Sequence, residues 1–317
     1  MGDTQGRNNR LNQAQKYTIN QFNAEFPNDE ACLDYIMEQR FPGRLATCDK
    51  CKMERKHYRI AGRKVYSCDH CGTQISPLAG TIFEKSSTSL KLWFHAMYLM
   101  GSTKCGISAK QIQRETGVTY KTAWRMFRQI RTLMSEELSM EGAAIEMDET
   151  YVGGTRKGKR GRPGLGDKKK VPVVGMAQRA TEETKGRVLA RVTQDVKRPT
   201  LHGMVKEYVL PSSVVYTDEF VAYDGVENLK DDKGINRGYQ HRRINHRAGV
   251  YVAGDVHTNT IEGFWSLVKR GIGGTHHSVS AKFLQSYLDE YAFRYNRRDI
   301  PMPMFKQILE QVSMKAD

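Results

Sequence analysis

No stretch of the 317 residues approaches the roughly 20 consecutive apolar positions that a membrane span requires. The opening residues, 1–15, lack the apolar run of a secretory signal, so export is not expected and a reducing cytosol is the expected setting. No repeat recurs at a fixed period, which removes repeat architectures from consideration. Cysteine is limited to six positions, and in a reducing setting these are thiols or metal ligands, not disulfides. Acidic residues are outnumbered: 35 Asp plus Glu against 50 Lys plus Arg leave a net charge of +15 and a pI near 9.5. Such an excess fits a polyanionic partner, because neutralised phosphates release their condensed counterions. A composition 39% hydrophobic and 27% charged is too mixed for a disordered tail, and the length suits two or three folded units.

Four of the cysteines fall in a pattern. Cys48 and Cys51 are followed by Cys68 and Cys71, a C-x2-C pair repeated after sixteen residues. Two knuckles of this kind each offer two thiolates to one tetrahedral Zn²⁺, with strands between Tyr58 and Tyr66 turning at Gly62. Cys32 and Cys105 have no partner at metal spacing and read as core residues. Before the first knuckle, Phe22, Phe26, Leu33 and Ile36 indicate a helical piece. After the second, an apolar helix is expected from Thr88 to Met100. Then come a Ser108 cap, a short helix, Gly117, a Thr119 cap and a second helix carrying Lys121 and Arg125. That order reads as a helix-turn-helix laying Lys121 and Arg125 against a major groove, or as an ordinary helical hairpin. The expected units are a helical segment over 1–45, a zinc ribbon over 46–80, a helix-turn-helix region over 85–135 and a catalytic domain over 140–310.

From residue 143 the pattern alternates. Strands are expected over 143–152, 171–177, 187–193, 213–217 and 239–244, with helices over 200–209, 259–271 and 281–296. Three strands, a helix, two strands and late helices match the order of an α/β RNase H-like domain. Such a domain sets acids from two strands and a late helix around divalent metals. Asp148 on the first strand, Asp218 ending the fourth and Glu262 in the late helix stand where that scheme wants them. Two Mg²⁺ (or Mn²⁺) held by hard oxygens activate a water or 3′-hydroxyl and steady the leaving oxygen. On the late helix Asn259, Glu262, Ser266 and Lys269 share one stripe, and Ile261, Phe264, Trp265, Val268 and Ile272 share the core stripe. Lys269 reads as a phosphate contact or as a plain surface charge. Glu146 shares the face of Asp148 and competes with it, whereas Glu149 and Glu219 are expected to face away.

The segments 145–154 (IEMDETYVGG), 216–218 (YTD), 257–270 (HTNTIEGFWSLVKR) and 287–298 (YLDEYAFRYNRR) resemble the DDE-type transposases of bacterial insertion sequences that carry an N-terminal zinc ribbon and are related to Merlin elements. The resemblance implies cutting at element ends and joining of 3′-hydroxyls to target DNA with Mg²⁺, Asp148 and Asp218 being the first two acids. It implies terminal inverted repeats and target DNA as partners, a homo-oligomer on DNA, and a bacterial, nucleoid-associated setting. In that family the third position is Asn in some elements and Glu in others, and this chain offers both Asn259 and Glu262. Charge favours Glu262, because a carboxylate offsets two close cations better than an amide oxygen does; Asn259 then reads as a helix cap.

The 154–170 segment carries eight cations against Asp167, and Arg160-Gly161-Arg162-Pro163 matches an AT-hook core. Arg160 and Arg162 therefore enter an A·T minor groove or grip phosphates nonspecifically, with Arg270 a further DNA contact. Two other classes compete with a transposase: a zinc-ribbon DNA-binding regulator, and an RNase H-like nuclease without strand transfer.

Overall fold

The computed structural model describes residues 16–103, 105–140, 144–153, 170–181, 185–243 and 258–314. Its contacts fall into two units, one of residues 1–133 with 299–317 and one of residues 134–298.

In the first unit α1 (Ile19–Glu25) and α2 (Asp29–Arg40) precede a four-stranded antiparallel sheet, β1 (Leu45–Cys48), β2 (Met53–Arg59), β3 (Tyr66–Cys68) and β4 (Gln74–Ile75). Each helix starts where a polar side chain satisfies a free backbone amide: Thr18 and Gln21 form a reciprocal capping box, and Asn28 accepts from the Ala31 amide. The helix α3 (Leu90–Ser102) buries Leu90, Trp93, Phe94 and Met97 at the spacing of one helical face. Next, α4 (Ala109–Thr116) and α5 (Tyr120–Thr132) are capped by Ser108 and Thr119 and joined through Gly117, whose left-handed φ of 70° ends α4. Cys32 is buried as expected. Cys105 is not, because it lies in the α3–α4 connection, and it is exposed.

The last helix, α9 (Met304–Met314), belongs to this unit. Phe305 joins a ring cluster with Phe22, Phe26 and Tyr98, and a Cβ on Gly101 would sit 2.8 Å from the Phe305 amide nitrogen. Backbone approach that close fixes the α3–α9 contact, so the unit carrying the large sheet ends at Arg298, short of the expected limit near 310.

In the second unit β5 (Ala144–Val152), β6 (Val171–Gln178) and β7 (Arg187–Val192) run as an antiparallel meander. After α6 (Arg198–Tyr208), β8 (Val214–Thr217) pairs parallel with β5, and β9 (Gln240–Arg243) pairs parallel with β8. The sheet order is β7-β6-β5-β8-β9. α7 (Asn259–Arg270), a π-helical turn (Gly271–His276) and α8 (Ala281–Asn296) follow. Strand alternation gives the sheet two cores. Ile145 and Met147 of β5 pack with Leu201 and Val205 of α6 on one face, while Val173, Ala177 and Ala190 pack with Ile261, Phe264, Leu288 and Tyr291 of α7 and α8 on the other. The central β5 thus lies under both helical layers.

Candidate active site

Two sites emerge, one in each unit. The first is the knuckle pair. In each knuckle the residue after the second cysteine, Lys52 or Gly72, is left-handed, and its amide donates back to the carbonyl of the first cysteine, Cys48 or Cys68. These turns aim four sulfurs inward, all within 4.8 Å of one another, with Cys48–Cys71 at 3.4 Å and Cys51–Cys68 at 3.9 Å. Four sulfurs at about 2.3 Å from one tetrahedral Zn²⁺ would stand about 3.8 Å apart. Hydrogen bonding to Thr73 pulls Cys71 down to about 6, whereas Cys71 itself pushes Cys51 up to about 12. Four thiolates this close therefore need a cation between them, and the donor set fits zinc.

The second site forms where β5 and β8 run parallel. Asp148 lies in β5, and Asp218 follows the last residue of β8 and turns the chain by accepting the Phe220 amide at 2.9 Å. The face Asp148 occupies is covered by α7, whose Trp265 Nε1 donates to its Oδ2 at 3.0 Å. Trp265 can lie that close because Asp148 is paired with Gly175 on β6, where a Cβ would stand 2.4 Å from the Trp265 ring. Burial, then the charge of Asp218 and, more weakly, that of Glu262, lift the Asp148 carboxyl to about 6. A carboxylate so placed is costly to ionise without a cation. Hard oxygens from β5, β8 and α7 are the donor type that Mg²⁺ takes. Among the described residues only the four cysteines gather three or more candidate ligand atoms within 4.8 Å of one another, so Asp148, Asp218 and Glu262 do not stand together that closely.

Glu146 is fully buried, and the structure explains why. Its Oε2 accepts the amides of Thr260 and Ile261, and its Oε1 accepts Thr260 Oγ1 and Arg179 Nε at 2.7 Å. It therefore anchors the N-terminus of α7, where the helix dipole favours an anion, and is spoken for as a ligand. On the opposite face Glu149 accepts from the buried Tyr223 hydroxyl at 3.0 Å. Burial, and secondarily the charges of Asp218 and Asp148, lift Glu149 to about 7, so although it faces away as alternation requires, it shares their field.

Family comparisons bear on both sites. The transposase zinc-ribbon domain matches residues 27–74, and the ISXO2-like transposase domain matches residues 139–296. An uncharacterized protein in transposable element ISH50 of Halobacterium salinarum is 33% identical over 265 residues, covering 78% of this chain and 84% of its own length. The chain belongs to the DDE-type transposases with an N-terminal zinc ribbon. An uncharacterized transposase-like protein of Haemophilus influenzae is 28% identical over 128 residues, covering 40% of this transposase and 96% of itself. A Drosophila P element transposase strand transfer complex is similar at 9% identity and a TM-score of 0.27, over 62% of this chain and 55% of that one, a likeness too slight to bear on the fold.

In this transposase the stripes of α7 divide as expected: Ile261, Phe264, Trp265 and Val268 are buried, while Asn259, Glu262, Ser266, Lys269 and Arg270 are exposed. Trp265, assigned to the core stripe, also reaches the acid. Glu262 Oε1 accepts from Thr258 Oγ1 at 2.9 Å, which holds it in the first turn. Asn259 is not the cap: Thr258 precedes the helix and Asn259 is its first residue. Arg270 Nε donates to the Ser266 carbonyl within the helix. In the first unit Lys121 is exposed, but Arg125 donates to Ser86 and Thr88 and stacks 5.8 Å above Trp93, so part of its role is to brace α5 on the start of α3. Arg160 and Arg162, with the rest of 154–169, lie outside the described residues.

Proposed function

We propose that this transposase binds the ends of an insertion sequence, cleaves to free 3′-hydroxyls and joins them to target DNA, with Asp148, Asp218 and Glu262 holding two Mg²⁺ (or Mn²⁺). The observation that carries the reading is the buried Asp148 carboxyl in the field of Asp218 and Glu262, lifted to about 6 by burial first and then by their charges. What the two cations supply when bound is activation of the attacking water or hydroxyl and relief of charge on the leaving oxygen. The chain's own part is positional. Trp265 fixes the Asp148 carboxylate in one rotamer, the Phe220 amide fixes Asp218, and the Glu146 anchor sets the register of α7 over β5. The strand order with β6 alone antiparallel to β5 and β7 supports an RNase H-like fold, in which acids at neighbouring parallel strand ends meet a late helix. Lys269 and Arg270, exposed on the last turn of α7, offer phosphate contacts beyond the acids. The α4–α5 pair, presenting Lys121 and Tyr120, fits a DNA-reading helix-turn-helix beside the zinc ribbon, whose four cysteines hold one structural Zn²⁺.

Incubating the protein with labelled duplexes bearing the element's ends, a plasmid and Mg²⁺ tests this reading. Cutting followed by covalent transfer into the plasmid is the expected result. A regulator would do neither, and a nuclease would cut without joining.

A further inference from the structure

On the α6 side of the sheet, the face opposite the one Asp148 turns toward α7, the second unit opens a cavity of about 530 Å³ that comes next to Asp218 through Phe220. Its wall includes Tyr151, three residues beyond Asp148 on β5, and Phe220, two residues beyond Asp218. Both rings are open to solvent, 49% exposed for Tyr151 and 36% for Phe220, although a sheet of this size has core enough to bury them. Three cations share the wall, Lys170, Lys197 and Arg198, against one acid, Asp195. That acid is occupied locally: it accepts the Lys197 amide at 3.1 Å and Thr200 Oγ1 at 2.6 Å at the start of α6, and its pair with Lys197 Nζ is loose at 3.8 Å. Arg198 donates to the Val221 carbonyl at 3.3 Å and lies 3.9 Å from an Asp224 that also pairs with Arg243. Two exposed rings among excess cations make a surface that stacks a base by its π-face and draws its phosphate by charge. The volume lies in the range of small-ligand sites.

We propose that this cavity receives one unstacked nucleotide of the DNA strand processed at Asp148 and Asp218, its base stacked on Tyr151 and Phe220 and its phosphate held by Lys170, Lys197 and Arg198. The inference rests on the transposase reading of the acid site. The cavity meets the chemistry at Asp218, whose carboxylate accepts the backbone amide of Phe220. Because the rings are exposed, their removal costs the fold little.

The test compares the wild-type protein with the full-length Tyr151→Ala, Phe220→Ala double variant on end duplexes and on target duplexes. Each duplex carries a single abasic position, moved stepwise through the nucleotides flanking the cut or joined bond. The variant should process intact DNA about tenfold or more slowly than wild type, the scale of one lost base stack. On a duplex abasic at one particular position it should match wild type, since no base there has to be pulled from its neighbours. Whether that position lies in the end or the target duplex identifies which DNA supplies the nucleotide. A variant as fast as wild type on intact DNA, or slowed equally on every duplex, overturns the cavity while wild-type cutting and joining leave the acid site standing. A wild-type protein that never cuts DNA in Mg²⁺ overturns both.

Discussion

Replacing Asp148 by Asn should abolish cleavage and, without metal, make the protein more stable. The Asp148 carboxyl is lifted from 3.8 to about 6, by burial first and then by the charges of Asp218 and Glu262. For an acid raised in this way the folded state holds the proton more tightly than the unfolded chain. Stability is therefore lost as pH climbs from 3.8 to about 6 and stays lost above it. At neutral pH that lift amounts to about 3 kcal/mol, and roughly half of it survives the screening that solvent gives a partly exposed side chain. In a unit of this size 1 kcal/mol moves Tm by roughly 2–4 °C. In Mg²⁺-free buffer at about pH 7.5, with the zinc left in place, Asp148→Asn should thus melt about 3–6 °C above wild type, the gap closing as pH falls toward about 4. The amide oxygen of Asn still accepts from Trp265, so packing is preserved. Added Mg²⁺ should reverse the order, since saturation at a hundredfold excess over Kd is worth about 2.7 kcal/mol to the wild type and far less to the variant. Differential scanning fluorimetry at stepped pH and Mg²⁺ reads both effects. An Asn variant that melts lower without Mg²⁺, or that gains as much from Mg²⁺ as wild type does, would refute the account of Asp148 as a repelled, metal-seeking acid.

Other outcomes follow from the same geometry. Glu262→Gln should abolish cleavage and joining in Mg²⁺ while gel shifts show intact DNA binding, and Asn259→Ala should be milder; an inactive Asn259→Ala beside a near-normal Glu262→Gln reverses that assignment. Glu146→Ala leaves the half-buried Arg179 without its carboxylate and the α7 amides without an acceptor, so chemical denaturation should register a loss of about 3–5 kcal/mol; a loss under about 1 kcal/mol would contradict the anchor role. Cys68→Ser should release the metal and unfold the ribbon, seen as lost zinc by elemental analysis and lost near-ultraviolet circular dichroism, because a structural site supplies folding free energy directly. Lys121→Ala should erode preference for element ends over random DNA by competition binding, whereas Arg160→Ala with Arg162→Ala should weaken all DNAs alike and flatten the salt dependence.

Much of the second unit was legible because its signals are local. Alternation along 144–152 and the apolar run before Asp218 each mark a strand whose buried faces are plain from side-chain type, and an acid at such a place stands out. The knuckles were legible for the same reason, each closing on itself within four residues. What escaped depends on reach across the fold. Trp265 belongs to the core stripe by angle, yet its indole is long enough to touch Asp148, and only the register opposite Gly175 makes room for it. Glu146 looked like a rival ligand because period-two alternation assigns a face without saying what covers that face. The Glu149–Tyr223 pair and the meeting of Gly101 with Phe305 join positions with no shared motif, and Cys105 was misjudged because residue type alone does not say that a loop passes outside the core.

The return of α9 to the first unit makes that unit discontinuous, with the whole five-stranded sheet spliced between its two pieces. The ring cluster of Phe22, Phe26 and Tyr98 lacks a covering until Phe305 arrives. During synthesis the ribosome emits the ribbon and the α4–α5 pair first, but their supporting core stays open until the whole of the second unit has been made. A prematurely terminated chain would therefore carry the ribbon and the α4–α5 pair on an unfinished base.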